Sequence, residues 1–261
     1  QGECPIVIDK TTPSCGNSRF GCWTCTVVNK DKAIHGLVES GEDWMKPLLE
    51  FRDELHFSTL PENKATFRNH KRRSGKISFQ TVYAEGEGRT NEIELNAEGI
   101  GINVPGPYWL DVRKKWLKNL LKIEKNIRES GRTIELISRP ELHIIRREWI
   151  TDPNEPDWED SLPQIYQEIY PEDSLEWSAN DLGFFGPEGL ESVKNAGQEA
   201  EVSPELLKKI IDVEVEVSGL GSRRGINNKI ESILKRDWES VEVAFEKKKI
   251  QSKAVNEFKS K

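Results

Sequence analysis

"PSCGNSRFGCWTCTVV", residues 13–28, holds three of the chain's four cysteines, and the fourth, Cys4, lies just upstream. The spacing is Cys4-x10-Cys15-x6-Cys22-x2-Cys25, and no cysteine follows up to Lys261. Disulfide-stabilised secreted domains spread their bridges through a small chain, whereas bridges here would staple only one edge of a 261-residue protein. A metal site accounts for the clustering better. Cys22 and Cys25 can place two thiolates on one ion or cluster, and Cys4 and Cys15 can close the site from a loop. Four thiolates without a neighbouring imidazole suit a structural zinc or an iron–sulfur cluster. A zinc ribbon uses two CxxC knuckles, and the single one here tilts the reading towards a cluster. Trp23 is placed to shield such a site from water, and Arg19 to offset its negative charge.

The rest of the composition narrows the class. Charged residues make up 32% of the chain and mean hydropathy is −0.66. No apolar run approaches the roughly 20 residues that span a bilayer, so the expectation is a water-soluble, cytoplasmic protein with no membrane partner. Eight Trp and nine Phe still supply core anchors. The net charge of −7 argues against nucleic-acid binding through the overall field and leaves only a local basic patch or a partner subunit for DNA contact. The opening, "QGECPIVIDK", has no targeting pattern and reads as the interior of a longer sequence.

Periodicity predicts a mainly helical body. Helix-like spacing covers 42–56, with Trp44, Leu48, Leu49, Phe51 and Leu55 on one stripe, and 107–130, with Trp109, Val112, Trp116, Leu117, Leu120, Leu121 and Ile127. Ser138-Arg139-Pro140-Glu141 reads as a capping box opening a helix to about Ile150, and Ser161-Leu162-Pro163-Gln164 as a second. Ser203-Pro204 opens another helix. A last one is expected from about Gly225 to Lys247, with Ile226, Ile230, Ile233, Leu234, Trp238 and Val241 inward, before a fraying tail. Strand signal is confined to "KISFQTVYAE", where a hairpin is expected, and 86–106 reads as a long surface loop.

Beyond these local signals, "GECPIVIDKTTPSCGNSRFGCWTCTVV" resembles the cysteine segment of the DndC family, the sulfur-transfer component of bacterial DNA phosphorothioation among the phosphoadenylylsulfate-reductase-like PP-loop enzymes. "GEDWMKPLLEFRDEL", "VPGPYWLDVRKKWLKNLL", "ISRPELHIIRREWI" and "DWEDSLPQIYQEIY" resemble further segments of that family in the same order, so the likeness covers most of the chain and thins after about residue 175. The resemblance implies a sulfurtransferase whose α/β domain (adenine nucleotide α-hydrolase-like) binds ATP through an SGGxDS loop and cleaves it to AMP and pyrophosphate. It also implies a 4Fe–4S cluster, with Cys4, Cys15, Cys22 and Cys25 as ligands by position. A cysteine desulfurase and the other phosphorothioation subunits would be the partners, and DNA would be met through the complex. The PP-loop half does not appear in this sequence, which begins just before Cys4, so the chain alone is expected not to cleave ATP.

Other residues invite functional readings. "FRNHKRRSGK", residues 67–76, makes Arg68, Lys71, Arg72 and Arg73 the candidate phosphate or DNA contacts. "VEVEVSGLGSRRG" offers a strand-like run before Ser218-Gly219-Leu220-Gly221-Ser222, but a lone G-x-G without the acidic position is a poor phosphate cradle. His35, His56, His70 and His143 lack metal-ligand spacing, and Asp157, Glu159 and Asp160 lack a partner for acid–base work; no catalytic residue is named. The combined expectation is a mainly α protein with a small β-hairpin, the cluster-bearing C-terminal half of an α/β PP-loop protein. It would divide into a cysteine segment (1–30), a helical body (31–175) and a C-terminal helical region (176–261). A non-catalytic module stapled by Fe–S or Zn, serving assembly or DNA contact, is the alternative.

Overall fold

The computed structural model describes residues 23–84, 88–177, 187–217 and 225–259. Among these the chain is mainly helical with one two-stranded antiparallel sheet. It divides into two compact units.

The first unit comprises the chain up to Phe67, Asp111–Leu142 and Gln164–Ser174. Helix α1 (Lys32–Glu39) begins where the Asp31 carboxylate accepts from the Ala33 and Ile34 amides at 2.9 and 3.1 Å, an N-cap that satisfies two orphan donors. A single 3₁₀ turn (Asp43–Met45) leads into α2 (Lys46–Phe57), with Pro47 in its first turn, where a missing N–H costs nothing. Ile34, Met45 and Leu49 form a buried cluster against which Trp23, Val38 and Trp44 pack. Helix α3 (Lys64–Phe67) is one short turn.

The long helix α4 (Leu110–Glu129) buries Trp116, Leu117, Leu121, Ile123 and Ile127 along one stripe, as the periodicity predicts. Glu124 is buried on that same stripe. Its Oε2 accepts from the Leu136 and Ile137 amides at 2.6 and 3.2 Å, and its Oε1 from the Tyr170 hydroxyl at 3.1 Å. A buried carboxylate is tolerable when it is this fully hydrogen-bonded. The Ser138–Glu141 capping box is present in both directions: Ser138 N–H donates to Glu141 Oε2 at 2.7 Å, and Glu141 N–H donates to Ser138 Oγ at 3.4 Å. It opens α5 (Arg139–Ile150). Asp173 accepts from Tyr166 at 2.6 Å, on α6 (Ser161–Ile169), and from Arg139 at 2.8 Å.

The second unit comprises Arg68–Leu110, His143–Pro163 and the chain from Leu175. Strand β1 (Thr81–Ala84) pairs with β2 (Gly88–Ile93) through Thr81–Ile93 and Ala84–Gly88, with an irregular register between Thr81 and Tyr83. The expected 86–106 loop is therefore corrected: its first part is β2 and its last part returns to the sheet. Gln80 N–H donates to Ile102, Ile102 N–H to Glu94 and Glu94 N–H to Gln80, all at 2.8–2.9 Å. Bridges Phe79–Asn103 and Arg68–Tyr108 extend the arch to its base. At Gly106 the chain passes so near the Lys71 carbonyl that a Cβ would overlap it, while Gly106 N–H donates to Asn69 O at 2.7 Å.

Three further expectations need correction. The second capping box is not used: Ser161 begins α6 and is itself capped, its N–H and Oγ donating to the Asp157 carboxylate at 2.7 and 2.9 Å. The strand-like Val213–Val217 run is the end of α8 (Pro204–Val217), because Val213 and Val217 are one helical turn apart on its buried face. The last helix is two, α9 (Ile226–Leu234) and α10 (Val241–Lys259), and Leu234 is exposed rather than inward. Between them Asp237 leaves the helical path to accept from Ile77 N–H at 2.6 Å and to donate its own N–H to Gly75 O at 3.1 Å. Helix α7 (Pro187–Glu199) packs beside α8, and α8 beside α9. Phe245 of α10 packs on Phe79, ring centroids 5.5 Å apart.

Candidate metal centre

Among the four cysteines, Cys25 lies in the described part of the chain; Cys4, Cys15 and Cys22 lie outside the described residues, as do Arg19 and the 218–222 glycine segment. Cys25 is half-buried and forms no disulfide among the described residues. Its backbone is fixed by a residue that spacing alone did not single out. Arg52 of α2 is completely buried, and its guanidinium is spent on the cysteine segment. Nε donates to Cys25 O at 3.1 Å and Nη1 to Asn29 O at 2.8 Å, while Nη2 donates to Val28 O. Nη1 also meets the Asp53 carboxylate at 2.9 Å. The only sequence signal was position: Arg52 stands four residues after Leu48 and three after Leu49, on the helix's apolar face.

This arrangement fits a metal ligand at Cys25. Cys25 is partly exposed, and the chain that carries it is pinned at three carbonyls, those of Cys25, Val28 and Asn29, the pre-positioning that a ligand needs. The guanidinium charge beside that peptide is itself met by the Asp53 carboxylate at 2.9 Å. Trp23 packs against Phe51, ring centroids 5.9 Å apart.

The basic run is more committed than its sequence suggests. Arg68 stacks over Tyr108, 4.0 Å from Cζ to the ring centroid, and donates to Gly106 O at 3.2 Å. Arg72 donates to Pro105 O at 3.0 Å. Lys71 lies half-buried over Trp238, and burial lowers its pKa against the pull of Glu205, Asp237 and Glu239. Arg73 is exposed. His70 packs on Trp109, and its pKa is lowered first by burial and then by Lys71, with Glu242 opposing. His143 packs on Trp177 at 5.0 Å. Of the carboxylates, Asp157 caps α6 and Asp160 holds Arg146 through two bonds of 2.8 and 2.7 Å.

Compared with protein-family models, curated proteins and solved structures, the chain matches none.

Proposed function

We propose that this chain is the cluster-bearing half of a DndC-like sulfurtransferase acting in DNA phosphorothioation. The observation that carries the reading is the four-cysteine segment with its family-like sequence, Cys4 to Cys25. The Arg52 anchor supports it by holding the end of that segment in a fixed conformation. Cys4, Cys15, Cys22 and Cys25 would hold a 4Fe–4S cluster, whose chemistry is electron storage or electrostatic stabilisation of the site. In this reading a PP-loop domain outside this sequence activates the substrate with ATP, and a cysteine desulfurase supplies the sulfur. DNA is met through the assembled cytoplasmic complex, with Arg68, Lys71, Arg72 and Arg73 as this chain's contribution.

The test is anaerobic purification with metal and sulfide analysis. Brown protein holding iron and acid-labile sulfide, and lacking colour when Cys22 and Cys25 are changed to Ser, is the expected result. Mixing the chain with an ATP-binding half, a desulfurase and DNA should then yield phosphorothioate linkages detectable by mass spectrometry of digested DNA. The Arg52 anchor also favours a second reading, a non-catalytic staple in which the same cysteines bind zinc. Colourless protein with zinc and no sulfide would select it.

A further inference from the structure

Within the second unit, α8 and α9 line an open cavity of about 470 Å³. Lys209, Asp212 and Glu216 face it from α8; Lys229 and Ser232 face it from α9, and Arg236 from just beyond. Its charges do not cancel. Asp212 is taken by Lys208 at 2.8 Å, and Glu216 by Lys229 at 2.8 Å. That leaves Lys209 and Arg236 without a carboxylate at ion-pair distance among the described residues.

Arg236 is the more telling of the two. Its Nη1 is buried and has no hydrogen-bond acceptor among the described residues, a costly state for a charged donor. Its side chain lies against the Gly75 turn. That residue sits at φ +78°, and a Cβ there would come within 2.8 Å of Arg236 Cδ. The backbone beside it is tied to the same turn through Asp237 N–H and Gly75 O.

We propose that the α8–α9 cavity binds a small molecule bearing a phosphate monoester, held by Lys209 and Arg236. The charge accounting selects the group. A carboxylate would balance one of the two unpaired cations, whereas a phosphate monoester carries close to two negative charges at neutral pH. Its oxygens can accept from the Arg236 guanidinium, Lys209 Nζ and the Ser232 hydroxyl, residues that line the cavity together. The cavity exceeds a bare phosphate and falls in the size range of small-molecule sites, about 300–1,000 Å³. Burial and the neighbouring Arg236 charge hold the Lys209 pKa down at about 8, against Asp212 and Asp152. An arriving anion would reverse that balance and restore the charged amine. The inference is independent of the metal centre.

Amine labelling of the full chain at about pH 8, read by mass spectrometry, tests it without any variant. Lys209 should react faster than the exposed, Glu231-paired Lys235, and AMP at about ten times its dissociation constant should slow its labelling about ten-fold, the factor that occupancy sets. Adenosine, which lacks the phosphate, should not. Titration calorimetry should show AMP binding weakened about ten-fold in Lys209→Gln and in Arg236→Gln, and unchanged in Lys235→Gln. Equal protection by adenosine and AMP, or no protection by millimolar AMP, overturns the proposal.

Discussion

Arg52 Nε donates to the carbonyl oxygen of Cys25 at 3.1 Å, so a fully buried cation on α2 is bonded to the peptide of a candidate ligand. Replacing Arg52 with Ala would strand the carbonyls of Cys25, Val28 and Asn29 and leave a hole on the buried face of α2 beside Leu48 and Leu49. The expected cost is about 3 kcal/mol or more, the penalty for breaking a buried, hydrogen-bonded charge. Arg52→Lys should recover only part, because one ammonium cannot span three acceptors in the same fork. Denaturant midpoints check the stability. Metal content per chain checks the link to the cysteines, and it should fall in both variants.

The capping box of α5 makes a pH-dependent contribution with a defined sign. Hydrogen bonds from the Ser138 amide and hydroxyl hold the Glu141 carboxyl below its ordinary pKa. A depressed folded pKa means that this stability is present above the unfolded carboxylate value and is lost as pH falls through the folded one. Ser138→Ala should therefore cost about 1 kcal/mol at neutral pH. The difference between wild type and variant should shrink on acidification below about pH 4, as measured by thermal unfolding across pH.

His70 contributes in a different window. Burial lowers its pKa from 6.5, so the folded state binds the proton less readily than the unfolded chain. Stability from this residue is complete above pH about 6.5 and declines as pH falls below it, until the folded group also titrates. In His70→Gln the slope of stability against pH between about 5 and 7 should flatten. An unchanged slope would assign that window to other groups.

DNA binding by the isolated chain should be weak and salt-dependent, given the net charge of −7. Arg73 is exposed, whereas Arg68 and Arg72 already donate to backbone carbonyls of Gly106 and Pro105. Arg73→Ser should lower DNA affinity and reduce the salt slope by about one phosphate contact while leaving stability within about 0.5 kcal/mol. Arg68→Ser should lower stability as well, because it loses the Tyr108 stack. Fluorescence anisotropy at several salt concentrations separates the two, and salt-resistant, sequence-selective binding would contradict this assignment.

What was legible in the sequence was what is decided locally. The α4 stripe and the Ser138–Glu141 box each depend on residues within a turn or two of one another. The departures came where a distant partner wins. No Pro or Gly separates α9 from α10; the helix ends because Asp237 is needed at Ile77 and Gly75, far away in the chain. The Gly, Glu and Asn content of 88–104 suggests a loop, yet Ile93, Leu95 and Ala97 and then Ile100, Ile102 and Val104 alternate, and residues 94–104 are ordered by backbone pairing with 78–80. Arg52 is polar by composition and core by position, and only its three carbonyl partners reveal the role. The candidate site was half legible: the cysteine spacing is what suggests a metal centre, but nothing in "LLKKII" or "LKRDW" declares that Lys209 and Arg236 share a cavity.

The closeness of Gly106 to the Lys71 carbonyl sets a rule for how this lineage can diverge. Every side chain other than hydrogen collides there, so drift at position 106 is closed unless the base of the arch is rebuilt in the same step. The turn at Asn96–Ile100, exposed and joined to little beyond itself, can lengthen or change freely. Descendants of this sequence should therefore keep a glycine opposite the Asn69–Lys71 segment while the arch above it varies in length, a signature by which distant relatives can be recognised when the rest of the sequence has faded.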